Sequence, residues 1–409
     1  MRLPTWLKEA LRDADDALDA LSRRPRRIVF DARTPMNYVM WRPIAGWLAT
    51  DPRIEQWHMA GEEAGRPYAL YARAGVTERV ISRLEAQLMR FDLYVCADFV
   101  ATWLRRRVRR LHIFHGVAGK NGLDDPGPSV SHFDAFFFIN QDRMRRYLHQ
   151  GVARPDAAYL IGMPKIDRLV DGSLDRTAAS RQFGLDPLRP AVLYAPTWSP
   201  ASSLSVAGEA LLEALGRLDV NLLVKLHDWA FDPRVPYSGG IDRGARLGAW
   251  EAAGRLRLAR DPDSTPALAA ADLLITDHSS IGFEYLLLDR PLVVLDEPDL
   301  VREARVSAEH VGWLREAAAV ARTADEALAL VVRGLADPGA RREARRRVAA
   351  RLFYRPGTAT DRAVAAVYRL LTLTPPRSVA DKEPIVNGRY PLSRDPGRRR
   401  RKAPPAAHA

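Results

Sequence analysis

Cysteine is almost missing from this 409-residue chain. The single Cys96 sits in the apolar run Leu93 to Cys96, which excludes a disulfide framework and a cysteine-rich zinc site and leaves the role of a small buried hydrophobe. That usage suits a reducing compartment. Long hydrophobic runs are missing too. No stretch of about 18 apolar residues exists, and Asp13, Asp15, Asp16 and Asp19 break up the region where a signal peptide would be continuous. A cytoplasmic protein is therefore expected. The chain also lacks P-loop spacing, a recognition helix, a zinc finger and an RNA-binding aromatic motif, so no specific nucleic acid is expected as a partner.

What is present is an ordinary globular composition, 47% hydrophobic and 27% charged, over a length that suits two domains. The net charge is +12, and the stretch from Pro375 to Ala409 holds nine Lys or Arg against three Asp or Glu, half of the excess. This Pro- and Arg-rich tail, 375–409, is expected to be disordered. The remaining basicity suits a phosphorylated substrate, a polyanionic product or an anionic membrane surface. At the other end, Leu3, Trp6, Leu7, Ala10, Leu11, Ala14, Leu18 and Leu21 recur at helical spacing ahead of Arg23, Arg24, Arg26 and Arg27. Residues 1–27 thus read as an amphipathic helix with a basic end, packed on the body of the protein or docked on a membrane. Five arginines between Arg105 and Arg110 form either a solvated helix end or a phosphate or membrane patch.

Between these ends strands and helices alternate, which predicts an α/β protein with parallel sheets. Strands are expected at Ile28 to Phe30, Phe91 to Cys96, Leu111 to Phe114, Ala135 to Ile139 and Ala157 to Ile161, and again at Ala191 to Tyr194, Asn221 to Val224, Leu273 to Ile275 and Leu292 to Leu295. Helices are expected between Glu78 and Arg90, from Asp142 to Gln150, near Leu211 to Leu218 and from Pro266 to Ala271. After Leu295 only helices are expected, the last from Ala363 to Leu373. A linker rich in Asp, Arg and Ser divides the chain into an N-terminal domain, 28–170, and a C-terminal domain, 171–374. Several strands run straight into polar groups. The first leads to Arg33 and Asn37, which receive a weak assignment to the ligand cleft. The third leads to His115, Gly116, Gly119 and Lys120, where glycines admit a ligand close to the backbone and a histidine can act as general base. Others lead to Thr197 and Trp198 and to Lys225 and His227. In a parallel sheet all these ends share the edge where ligands bind. Asp261 and Asp263 resemble a metal-holding acidic pair, but their place before a helix favours capping, and no metal ligand is assigned.

The most informative stretch is Ala271 to Asp296, ADLLITDHSSIGFEYLLLDRPLVVLD, which reads as strand, turn, helix, strand. The polar cluster Thr276, Asp277, His278, Ser279 and Ser280 falls where the helix begins. Its hydroxyls and the unpaired first-turn N–H groups favour a phosphate; the plainer alternative is that Ser279 or Ser280 caps the helix.

FHGVAGK at Phe114 to Lys120, IGMPKIDRL at Ile161 to Leu169, LYAPTW at Leu193 to Trp198, VKLH at Val224 to His227, the Ile275 to Asp296 segment and GTATDRAVAAVYRLL at Gly357 to Leu371 occur in the order found in the CDP-glycerol glycerophosphotransferases, and the chain resembles that family of teichoic-acid primases and polymerases. The resemblance implies a GT-B architecture: two Rossmann-like domains facing across a cleft, a nucleotide held mainly by the C-terminal one, and a closing helix that crosses back. It implies transfer of glycerol phosphate from CDP-glycerol, or ribitol phosphate from CDP-ribitol, to the hydroxyl of a lipid-linked or glycan acceptor, with release of CMP; the amphipathic N-terminus and the basic patches add peripheral docking on the inner face of the cell membrane as an alternative to a purely cytoplasmic location. The family's histidines match His115 and His227, giving the catalytic pair. Contacts to substrate are expected from Gly116, Lys120, Thr197, Lys225, Thr276, Asp277, Ser279, Ser280 and Glu284. No cofactor is implied beyond a loosely bound Mg²⁺. The chain departs from the family's pattern at Asp228, where proline is usual, at His278, where tyrosine is usual, and at Glu284 in FEY, where FDY is common. Two other classes fit the same composition: a GT-B glycosyltransferase or UDP-N-acetylglucosamine 2-epimerase using a nucleotide sugar, and a non-catalytic protein that binds polyanions or a membrane.

Overall fold

The computed structural model describes residues 24–60, 70–72, 74–76, 78–104, 106–117, 119–120, 124, 130, 132–231, 241–382 and 385–386. The amphipathic segment before Arg24 and the basic tail beyond Val386 lie outside the described residues.

Fourteen strands run through the described residues: β1 (Arg26–Ala32), β2 (Ile54–Ala60), β3 (Val80–Ile81), β4 (Leu93–Cys96), β5 (Arg109–Ile113), β6 (Ala135–Phe138), β7 (Ala158–Leu160), β8 (Ala191–Tyr194), β9 (Asn221–Val224), β10 (Arg257–Leu258), β11 (Leu273–Thr276), β12 (Leu292–Leu295), β13 (Ala319–Ala321) and β14 (Ile385–Val386). They form two sheets, ordered β14-β7-β6-β5-β4-β1-β2-β3 and β10-β9-β8-β11-β12-β13. Every pairing is parallel except β14 with β7. LYVC in β4, AFFF in β6, AVLY in β8 and LVVL in β12 are buried at every position. Strands covered by helices on both faces need such continuous apolar runs, which is why these four were legible.

The sequence expectation missed β2, β3, β10 and β13. IEQWHMA in β2 mixes polar and apolar residues because it lies toward the sheet edge, and the others are two or three residues long, too short for a periodic signal. The helix expected between Glu78 and Arg90 is only Arg83–Leu88, with β3 taking Val80 and Ile81. The helix expected from Pro266 starts at Thr265, where Asp263 accepts from the Thr265 backbone N–H and hydroxyl. Order also extends into the tail: Arg377–Ala380 is helical and β14 adds to the first sheet.

Polar contacts fasten the two sheets and the closing helix to one another. Asp167 accepts from the N–H groups of Gly357, Ala359 and Thr360 and from the Thr360 hydroxyl, so it caps the helix Ala359–Leu370. That helix crosses back to the first sheet, where Tyr368 meets the edge of Trp47 with ring centroids 6.0 Å apart. Lys165 bonds both oxygens of Glu284 at 3.0 and 2.8 Å, and Arg42 reaches Asp263 at 2.6 Å.

Strand numbers in the second sheet rise outward in both directions from the β8–β11 pair, and in the first sheet from the β1–β4 pair. These are topological switch points, where loops leave in opposite directions and open a crevice at the carboxyl ends of the strands.

Candidate active site

His115 lies two residues past β5, on the carboxyl edge of the first sheet, and is half-buried. Its Nδ1 is 2.6 Å from the Ala97 carbonyl oxygen, which also accepts from Asn37 Nδ2 at 3.3 Å. A carbonyl oxygen only accepts, so Nδ1 carries the proton and Nε2 is left as the basic nitrogen of the neutral ring. Asn37 is held in turn, because its Oδ1 accepts from the N–H groups of Arg33 and Thr34 in the capping box of helix Pro35–Leu48. It orients the partner of the base.

The loop after His115 is fastened from both domains. Arg143, almost completely buried, donates to the carbonyls of Gly116 at 2.6 Å and Val117 at 3.0 Å and to Asp124 at 2.7 Å. From the second domain, the Ser307 N–H donates to the Gly119 carbonyl at 2.8 Å, and the His310 ring lies 3.1 Å from the Val117 carbonyl. A Cβ on Gly119 would come 2.1 Å from an Asp124 oxygen, so a side chain there would have to displace the Asp124 carboxylate that Arg143 holds. A Cβ on Gly116 would lie 3.2 Å from the Ser280 hydroxyl, which places the His115 loop directly against the helix start of the second domain. Sequence reading missed Arg143 and His310. Arg143 stands four residues before the buried Tyr147, on the inward face of its helix, and a cation on an apolar face was the available signal.

From the second sheet, Asp277 follows β11 and Thr197 follows β8, across the switch point. Asp277 is fully buried and accepts from the Thr197 N–H and hydroxyl and from the Ser203 N–H and hydroxyl. Thr276 donates its hydroxyl to the Ala195 carbonyl at 2.6 Å. Thr197, Thr276, Asp277 and Glu284, expected to contact substrate, all have protein partners: three fix the β8 and β11 loops to each other, and Glu284 is the buried partner of Lys165. Short polar side chains beside a crevice satisfy the backbone there, since an unpaired buried group costs about 1–3 kcal/mol.

Ser279 and Ser280 remain partly exposed. Ser279 is the N-cap of helix Ser280–Tyr285, yet its side chain makes no capping bond, and neither hydroxyl has a partner among the described residues. Lys120, five residues after His115, donates its ammonium to the Thr197 hydroxyl at 3.3 Å. Burial pulls its pKa from the usual 10.5 down to about 8, with Asp277 opposing. His227, beyond β9, packs its ring against Trp198 with centroids 5.5 Å apart. Burial first, then Lys225 and His115, push it down to about 3, so at neutral pH it is an uncharged hydrogen-bonding group. Lys225 is buried and donates to the Leu226 carbonyl at 2.8 Å. His278 is also buried, with Nε2 3.0 Å from Asp296, itself paired with Arg315. The crevice thus gathers an imidazole basic at Nε2, a cation, a neutral imidazole and two hydroxyls at a helix start, while Asp277 and Glu284 are engaged by protein donors. That set suits an anionic phosphate undergoing attack by a hydroxyl.

Lys120 supplies a pH prediction. Below about pH 8 it is charged, and above it the charge available to an anionic ligand is lost. kcat/KM for an anionic donor is expected to fall as pH rises through about 8, and Lys120→Arg, which keeps its charge, to remove that limb. Stability moves the other way. Between about 8 and the usual 10.5 the unfolded chain binds more protons, so the unliganded fold gains stability as pH rises. A pH profile of kcat/KM that is flat to pH 10 in the native protein would contradict this assignment.

Several solved structures share this fold. A variant of the wall teichoic acid polymerase TagF is 16% identical, covering 91% of this chain and 93% of that one with a TM-score of 0.64. The same polymerase soaked with CDPG is 16% identical over 88% and 92% with a TM-score of 0.65. MnaA from S. aureus, in a structure with UDP, is 16% identical over 85% and 98% with a TM-score of 0.58. At these identities the likeness is one of fold, GT-B-like in each case. No curated protein sequence matches the chain. Residues 72–369 match the model of the family described as CDP-glycerol:poly(glycerophosphate) glycerophosphotransferase, a span that contains the His115 loop and the strand ends of the second sheet, and the chain belongs to this family of transferases of teichoic acid biosynthesis.

Proposed function

We propose that the chain transfers glycerol phosphate from CDP-glycerol to an acceptor hydroxyl of a teichoic-acid-like polymer and releases CMP. The observation that carries this reading is the meeting of the His115 loop with the Ser280 helix start, where a Cβ on Gly116 would lie 3.2 Å from the Ser280 hydroxyl. The base of one domain and the phosphate-binding helix start of the other therefore address a single site. The acceptor oxygen attacks the phosphorus that bears glycerol, its proton passes to His115 Nε2, and the bond to the CMP oxygen breaks with its electron pair leaving on CMP. Charge growing on that leaving phosphate is met by Lys120, by a hydrogen bond from neutral His227 and by the N–H groups and hydroxyls at Ser279 and Ser280. Thr197 and Asp277 act behind these groups, holding Lys120 and the two loops in register.

Calorimetric titration with CDP-glycerol, CDP-ribitol, UDP-N-acetylglucosamine and CMP tests the donor class. Binding confined to the cytidine ligands, with CDP-glycerol the tighter of the two alditol donors, is expected. The double variant Ser279→Ala, Ser280→Ala, which removes two hydroxyl contacts to a charged group, is expected to weaken CDP-glycerol by about tenfold or more. Preference for the uridine ligand would replace this reading with a nucleotide-sugar transferase.

A further inference from the structure

The catalytic crevice leaves one basic feature of the chain unexplained. At the opposite edge of the first sheet, where its strands begin, lies a cavity of about 660 Å³. Arg26, Arg90, Arg107, Arg109, Arg154 and Arg369 line it. Two of them, Arg107 and Arg109, come from the Arg105 to Arg110 run that the sequence singled out. The carboxylates in the lining are Asp92, Asp134 and Asp156, half as many. Arg26 is 3.2 Å from Asp92 and Arg154 is 3.3 Å from Asp156. Asp134 accepts from the Arg110 backbone N–H at 2.8 Å. Arg109 donates to the Leu370 carbonyl, which covers the negative end of the helix Ala359–Leu370. An excess of positive charge therefore remains in a concave site.

The shape of the site bears on its ligand. Its lining comes from the beginnings of β1, β5 and β7 and from residues just before β4 and β6, five neighbouring strands. Four inter-strand spacings of about 4.8 Å extend it to roughly 19 Å. A single phosphate is held by two or three converging donors, whereas charges distributed along a groove match a linear ligand with repeated anionic groups. A flat bilayer surface would not enter a concave groove.

We propose that this arginine-lined groove is a second, non-catalytic binding site for a linear phosphodiester polyanion of the poly(glycerol phosphate) class, holding the body of the chain while its hydroxyl end reaches the crevice on the other edge. The identity of the polymer rests on the proposed function; the groove's preference for a chain of phosphates rests on its own geometry.

The test uses the full chain and an end-labelled synthetic oligo(glycerol phosphate) long enough to cross the groove, with binding read by fluorescence anisotropy. Arg107, Arg154 and Arg369 are exposed, so the triple variant R107E/R154E/R369E leaves the core intact. Arg181, Arg217 and Arg257 are exposed on the other domain, and R181E/R217E/R257E changes net charge equally. At low salt the groove triple is expected to weaken oligomer binding by about tenfold or more, and the control triple by less than about threefold. In the native protein, the oligomer is expected to protect these three arginines from phenylglyoxal, a readout that needs no variant. Equal weakening in both triples, absence of oligomer binding at low salt, or loss of binding to phosphatidylglycerol vesicles without loss of oligomer binding would overturn the proposal. CDP-glycerol titration is run separately on each protein: failure there with the oligomer result intact would refute the donor assignment and leave the groove standing.

Discussion

Replacing His115 with alanine is expected to lower the rate of CMP release from CDP-glycerol by about 10²–10⁴-fold, while the donor KM changes by less than about threefold. The proton of the attacking hydroxyl must go somewhere as the new P–O bond forms, and His115 offers Nε2 because Nδ1 is held by the Ala97 carbonyl at 2.6 Å. The donor's phosphates are held by other groups, so ground-state binding survives. Asn37→Ala separates orientation from chemistry. Asn37 bonds the Ala97 carbonyl, so its loss is expected to lower kcat by a smaller factor than the loss of His115. Added imidazole should partly restore turnover to the His115→Ala protein and not to the Asn37→Ala protein. A His115→Ala variant within tenfold of the native rate would remove the base assignment.

Lys165→Met is expected to destabilise the protein by about 3–5 kcal/mol, the cost of leaving a buried carboxylate without its partner. Lys165 and Glu284 are 3% and 4% exposed, and both Glu284 oxygens bond the ammonium, with Ser264 adding a contact at 3.4 Å. The pair also links the segment after β7 to the helix that starts at Ser280. Glu284→Gln alone strands a buried cation, and the double variant Lys165→Met, Glu284→Gln removes both charges, so it is expected to be more stable than Lys165→Met by about 1–3 kcal/mol. Urea unfolding followed by tryptophan fluorescence measures both. CDP-glycerol affinity in the double variant, measured where it is folded, is expected to stay within about threefold of native, since Glu284 faces Lys165. A single Lys165→Met change of less than about 0.5 kcal/mol would show that the pair is solvated in solution.

The sheets were legible where burial on both faces forces an unbroken apolar run. LYVC, AFFF, AVLY, LLIT and LVVL each announce a central parallel strand, and the polar residues just after them mark the carboxyl edge. Edge strands escaped because half-exposed strands carry mixed residues: β2 holds Glu55, Gln56 and His58, and β13 is only AVA. Asn37 shows a second limit of local reading. It follows a strand end, but it is engaged in a capping box and with the Ala97 carbonyl, an arrangement set by a loop sixty residues away.

The same division runs through the site. Residue types and spacing determined by themselves which strand ends carry polar groups, that a serine pair opens the helix after β11, and that a histidine stands in a glycine-rich loop after β5, because these are local properties of strand, turn and helix start. Which of those groups face the crevice was decided only by tertiary structure. Asp277 and Thr197 belong to loops eighty residues apart and bond each other, and Glu284 meets Lys165 across 119 residues. The hydroxyls of Ser279 and Ser280 are left without a partner among the described residues because Asp277 and Thr276 fasten the buried loops around them. Hydrogen-bond partners distant in the chain leave no mark on local spacing, so a polar residue at a strand end reads the same whether it awaits a ligand or closes a loop.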